Sequence, residues 1–198
     1  MFFDLIGALC SLLSTYYFIR MNNKAWGVGM IATGLNGGLY WYHGIYADMA
    51  LESFYFFTMI YGWYKWHHSE KNNYNQTGPL KQLPYSYALI LLILLCTVFA
   101  LIYSILIYFT HSTIPTLDAF TSTLSLIAQW LMCHKIMITW VLWFITDAFY
   151  VWLYLTKNLP FHALLMLVYT GMAMMGYIFW ARELERGATR QQLDNESL

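Results

Sequence analysis

From Tyr87 to Phe109 the chain runs for 23 residues through Leu, Ile, Val, Phe and Tyr without one charged side chain. A helix crosses the ~30 Å hydrocarbon of a bilayer with about 20 apolar residues. Lipid offers no partner for backbone polar groups, so a run of this kind folds as a helix that pairs them internally. Six further apolar runs flank it. Phe3–Ile19, Ala25–Tyr42 and Tyr46–Trp66 come before, and Ala119–Cys133, Thr139–Leu155 and Phe161–Trp180 come after. Polar breaks at Arg20–Lys24, His67–Gln82 and His111–Asp118 separate some of them, with Pro84 and Pro115 as helix boundaries. The whole chain agrees: 60% of its 198 residues are hydrophobic and 10% charged, against about 25% charged in soluble domains. So few charges cannot clothe a water-facing surface. Ten basic and ten acidic residues cancel, which leaves no basic face for nucleic acid. The expected fold is an all-α integral membrane protein of seven transmembrane helices in a single membrane domain.

The loop charges orient it. With the N-terminus outside, the cytoplasmic ends carry Arg20, Lys24, Lys65, Lys71, Lys81, Lys135, Arg182, Arg186 and Arg190, and the outer ends carry Lys157. That asymmetry is what the positive-inside rule demands of short loops. The N-terminus lacks the basic region and cleavage site of a signal peptide, so the first apolar run reads as a retained helix.

A shift of 114 residues (4 to 118) aligns the two ends of the chain without a gap: Asp4 on Asp118, Ser11 on Ser125, Trp26 on Trp140, Leu39 on Leu153, Tyr40 on Tyr154, Gly62 on Gly176 and Trp66 on Trp180. Residues 1–66 and 118–181 then form two three-helix units, with 86–110 as a linker helix and 182–198 as a polar, frayed cytoplasmic tail. Four crossings separate the units, so both enter the membrane in the same direction. This 3+1+3 parallel repeat is a transporter plan in which the solute sits between the halves near the midplane.

Asp147 is the sharpest candidate for chemistry. It lies in mid-helix, where a carboxylate costs ~2.5–3.5 kcal/mol and therefore marks a cavity or a partner. Trp140 and Trp143 share its helical face by spacing. An acid beside indole faces suits a flat cation. Glu52 lies about two turns into the third helix, Gln129 is buried in the fifth, and Asn36 is flanked by Gly34, Gly37 and Gly38. These six form the expected binding set. Cys10, Cys96 and Cys133 read as core residues, and the six histidines as solvated residues near helix ends. No metal-ligand spacing, phosphate loop or nucleophile elbow appears, so no cofactor, metal site or enzyme is expected.

Gly44-Ile45-Tyr46-Ala47-Asp48 through Tyr61-Gly62-Trp63-Tyr64-Lys65-Trp66, Trp140-x-x-Trp143, and Gly176-x-x-x-Trp180 with Ala181-Arg182-Glu183 resemble the PnuC family of vitamin transporters. The resemblance covers about Trp26 to Arg190. It implies a fold similar to full-length SWEET transporters, a bacterial inner-membrane location and facilitated diffusion of an unphosphorylated vitamin that a cytosolic kinase then traps. It also implies that trimers occur in the family. Where the nicotinamide riboside pattern has Asn and Gln, this chain has Asp147 and Glu52, and Met175 stands where an Asn precedes the glycine. Fewer sugar-binding amides and more acid slightly favour thiamine over nicotinamide riboside, with neutral riboflavin last. The rival reading is a membrane receptor or scaffold that binds a solute without carrying it.

Overall fold

The computed structural model describes the backbone of residues 2–42, 46–72, 80–110, 114–156, 158 and 160–196, and their side chains except those of 2–4, 46–48, 69–72, 85 and 190–196. It holds seven helices: α1 (Phe2–Ile19), α2 (Lys24–Tyr42), α3 (Tyr46–Asn72), α4 (Tyr85–Phe109), α5 (Pro115–Cys133), α6 (Thr139–Thr156) and α7 (Pro160–Glu196). Even the shortest, at 18 residues, reaches ~27 Å along its axis, close to the hydrocarbon thickness.

Four boundaries depart from expectation. Pro115 opens α5 instead of lying in a loop, because the first helical position has no N–H to satisfy. α3 continues beyond Trp66, so His67 and His68 are helical, each exposed with its ring against Trp63 or Tyr64 one turn back. α7 begins at Pro160 and runs through the polar tail to Glu196, where Glu183 and Arg186 pair across one turn at 2.6 Å. α4 begins two residues early, at Tyr85, directly behind Pro84.

The helices close a ring. Contacts run α1 to α2, α2 to α3, α3 to α5, α5 to α6, α6 to α7, and α7 back to α1, while α4 lies against α5 alone. No described residue of α4 is buried: Leu91 and Leu95 pack half-buried on the α5–α6 core, and exposed side chains such as Leu89, Ile90, Leu92, Ile93, Leu101 and Ile105 face lipid. Cys96 goes with them and is exposed, against the expectation of a core position. Cys10 is half-buried and Cys133 is fully buried.

The contacts recur at the 114-residue offset. α1 and α5 both end in a Schellman turn, in which two backbone N–H groups beyond the helix bond back to its last free carbonyls. Asn22 N donates to Tyr17 O at 2.9 Å and Met21 N to Phe18 O at 3.0 Å, and Ile136 N donates to Leu131 O at 3.2 Å and Lys135 N to Met132 O at 3.1 Å. Met21 and Lys135 take φ of 51° and 54°, the left-handed conformation this turn needs. Past the turn, Trp26 packs its ring on Gly62, where a Cβ would come within 2.1 Å, and Trp140 packs on Gly176, where it would come within 2.5 Å. Trp26 stands edge-on to Trp66 at 5.2 Å and Trp140 edge-on to Trp180 at 5.5 Å. Ser14 Oγ donates to Ala25 O at 2.9 Å, and the same two helix positions meet again in Thr139 Oγ1 and Ala128 O at 2.7 Å with donor and acceptor exchanged. The Asp4–Asp118 match lies outside the described side chains, as do His43, His111, Lys71, Arg190 and Lys157.

The basic residues gather where α1, α3 and α5 end and α2 begins. There Lys81 N donates to Lys135 O and Met137 N to Lys81 O, both at 3.0 Å, so the strand of chain leading to α4 is stitched to the α5–α6 turn.

Candidate functional site

Inside the ring lies a cavity of about 330 Å³, within the usual range of small-solute sites. All six ring helices line it and α4 contributes nothing among the described residues. α1 offers Ser11, Ser14, Thr15 and Phe18; α2 Gly29, Ala32, Thr33 and Asn36; α3 Leu51, Glu52, Tyr55 and Met59. α5 adds Ser125, Gln129 and Met132; α6 Trp140, Trp143, Thr146, Asp147 and Tyr150; α7 Met166, Tyr169 and Ala173. The six residues expected from sequence are thus brought to one cavity. Asp147 faces its interior, not lipid, and none of the described lining residues is Lys, Arg or His.

Most lining positions are partners at the 114-residue offset, and the pairing shows where the two halves differ. Asp147 answers Thr33, Trp143 answers Gly29, Glu52 answers Met166, Gln129 answers Thr15 and Tyr150 answers Asn36. The frame is two-fold but the chemistry is one-sided, so a bound solute has one orientation. Trp143 stands beside Tyr55 with ring centroids 6.5 Å apart. Asn36 Nδ2 donates to Glu52 Oε1 at 3.5 Å, and Gln129 Nε2 reaches Met59 Sδ at 3.7 Å. Trp140 lines the floor, with one indole face laid on Gly176.

The sequence reading did not single out Tyr55 and Tyr169, which share the 114-residue offset. Tyr55 of α3 lines the cavity together with Ser125 of α5, and Tyr169 of α7 lines it together with Ser11 of α1. Ser125 Oγ itself donates to Thr121 O at 2.8 Å. The two pairs are related by the offset, and each draws one residue from either unit. The signal was available: Tyr55 falls on Tyr169 and Ser11 on Ser125 at the same shift.

His134 caps α5 at the basic end, half-buried, with Nδ1 2.9 Å from Trp130 O. Burial holds its imidazole below the ordinary range; Lys65 and Lys81 push the same way, and the bond to Trp130 opposes them. The folded protein therefore binds fewer protons there than the unfolded chain, so stability rises with pH through the histidine range and falls on acidification. The thermal midpoint in detergent will drop as pH is lowered from 7 towards 5, and His134→Gln will flatten that slope.

Among the described residues no cluster could hold a metal ion.

The chain matches the family model described as nicotinamide mononucleotide transporter over residues 1–182. The nicotinamide riboside transporter PnuC of Escherichia coli (strain K12) is 23% identical over 201 residues, covering 89% of this chain and 80% of the relative. The protein of that name from Shigella flexneri gives the same figures, 23% over 201 residues. Among solved structures, the crystal structure of the vitamin B3 transporter PnuC superposes with a TM-score of 0.76 at 20% identity, covering 93% of this chain and 83% of that one. The seven-helix bundle therefore has the fold of a solved transporter, and the named relatives are transporters, not enzymes. A family match across nine-tenths of the chain, on a helical ring built around a solute-sized cavity, makes this protein a member of the nicotinamide mononucleotide transporter family.

Proposed function

We propose that the protein carries a small, flat, positively charged vitamin precursor into the cell by facilitated diffusion, and that nicotinamide riboside is that solute. The observation that carries the reading is the pairing of two carboxylates, Asp147 and Glu52, with the Trp143 indole in one cavity lined by no described Lys, Arg or His. A pyridinium ring stacked on Trp143 gains cation–π attraction, and Asp147 offsets its charge. Gln129, Asn36, Tyr55 and Tyr169 supply hydrogen bonds for a sugar, and Trp140 closes the floor. The relatives named for nicotinamide riboside support this solute over thiamine; the slight preference for thiamine drawn from Asp147 and Glu52 has no further support. A nucleotide fits the cavity poorly, because its phosphate would meet two acids and no base.

The N-terminus lies outside and the C-terminus in the cytoplasm of a bacterial inner membrane. Residues 1–66 and 118–181 are the two units that rock about the solute, 86–110 links them, and 182–198 is the cytoplasmic tail. The cargo is trapped by a cytosolic vitamin kinase, and the chain assembles as a homotrimer. No coupling ion is needed, since a potential of 100 mV, inside negative, is worth ~2.3 kcal/mol to a monovalent cation.

Calorimetry of the purified protein tests the solute. Nicotinamide riboside should bind at least tenfold more tightly than nicotinamide mononucleotide or riboflavin, and Trp143→Ala should weaken it by roughly 3- to 30-fold, the equivalent of ~0.5–2 kcal/mol of cation–π attraction. A mononucleotide that binds more tightly than the riboside overturns the charge argument.

A further inference from the structure

Towards the basic end the cavity is lined by Phe18, Met132, Met59 and Trp140, and beyond these lies a tier of two tryptophans, Trp66 and Trp180, that are absent from its lining. They are 1% and 0% exposed, and their rings meet near the pseudo-two-fold axis, 6.3 Å apart. Trp66 Nε1 donates to Met132 O at 3.3 Å, and Trp180 Nε1 donates to Phe18 O at 3.2 Å. The two bonds are one contact made twice, because the offset carries 66 to 180 and 18 to 132. Each joins the last transmembrane turn of a unit's third helix to the end of the other unit's first helix. Phe18 O and Met132 O are Schellman-turn carbonyls at helix C-termini, where the helix dipole favours a donor.

We propose that Trp66 and Trp180 form a reciprocal latch that holds the cytoplasmic side closed, acting as positioning residues for transport that never touch the solute. The inference rests on the topology and the rocking of two units proposed above. Three observations carry it. The bonds cross the α3–α5 and α7–α1 seams, the two seams at which one unit meets the other. They lie at the end where the cavity is floored. The tier also holds the means of its own release: the indole Nε1 atoms of Trp26 and Trp140, the rings edge-on to the latch pair, are buried with no hydrogen-bond partner. Water admitted to the floor would reach all four indole donors, so opening need strand none of them.

Cys133 reports on the latch. It is buried beside Met132, and its Sγ lies 3.5 Å from Thr58 O of α3, across the seam that Trp66 bridges, and 3.3 Å from Gln129 O of its own helix. In a chain carrying Cys10→Ser and Cys96→Ser, a membrane-impermeant maleimide is applied to inside-out vesicles. Cys133 should label slowly in the parent and about tenfold faster in Trp66→Phe and in Trp180→Phe, which keep an aromatic ring but lose the N–H. Leu153→Ala, which removes a buried side chain from α6 away from the tier, serves as the stability control and should leave labelling slow. Equal labelling of parent and both Phe variants, or an equal rise in the control, overturns the latch. If the Phe variants fail to fold, the parent chain decides. Its labelling should rise several-fold when nicotinamide riboside is being transported, and a rate unmoved by turnover refutes the proposal. Labelling is read without solute in the variant experiment, so a latch that behaves as described in a chain that carries no riboside would sink the solute assignment and leave the latch standing.

Discussion

Asp147→Leu will lower the affinity for nicotinamide riboside by roughly 10- to 100-fold, about 1.5–3 kcal/mol, the usual worth of a hydrogen bond or contact made to a charged partner. Leu keeps the branched outline of Asp and removes the charge together with both acceptor oxygens, so the loss is read against a neutral analogue. Asp147 lines the cavity that Trp143, Glu52 and Gln129 also line, and no described Lys, Arg or His shares that lining to neutralise it. Its counterpart in the other unit is Thr33, so the acid is not part of the repeated frame and serves something particular to one side. Glu52 remains in the variant and keeps part of the attraction, which is why the loss should stop short of abolition. Calorimetry with the riboside and with a neutral analogue reads the result: the cation should lose affinity and the neutral ring should not. Equal loss for both would mean that the substitution had distorted the site.

Gly62→Ala and Gly176→Ala will each destabilise the bundle by about 1–3 kcal/mol, the range for a methyl forced into a close-packed interior. That corresponds to a fall of roughly 3–10 °C in the thermal midpoint for a chain of this size. The added methyl at Gly62 would stand 2.1 Å from Trp26, and that at Gly176 2.5 Å from Trp140. In each case the obstacle is a rigid, buried indole, not the end of a flexible side chain. The two losses should match within about 1 kcal/mol, because the same contact is built twice. Gly27→Ala provides the opposite sign. Nothing lies within 4 Å of a Cβ there, so removing helix-interior glycine should stabilise α2 by up to ~1 kcal/mol. A thermal melt of the three variants separates the cases.

The parts of this molecule legible in the sequence were those that single residues or long runs announce. α4 could be read because it touches α5 alone and lipid is the solvent for most of its positions. The 114-residue offset could be read because Trp and Gly are scarce, and they are scarce where they are needed: Trp26 on Gly62 and Trp140 on Gly176 leave little freedom to either partner. Asp147 could be read because a carboxylate in an apolar helix demands an explanation. Tyr55 and Tyr169 could not be read from their own segments, since a tyrosine in an apolar helix suits an interfacial belt as well as a cavity. Only their place in the cavity lining decides. The ends of α3 and α7 were placed too early because apolar length sets the span of membrane, not the span of helix. Outside the lipid, good helix formers and pairs such as Glu183–Arg186 carry the helix onward.

The most direct test is uptake of radiolabelled nicotinamide riboside into proteoliposomes with a potential of about 100 mV, inside negative. A uniporter of a monovalent cation should accumulate the label towards ~50-fold, the ratio equivalent to ~2.3 kcal/mol, and collapsing the potential should bring it to equality with the bath. Saturable binding to the protein with no label in the lumen, under either condition, would contradict the account and leave a receptor in its place.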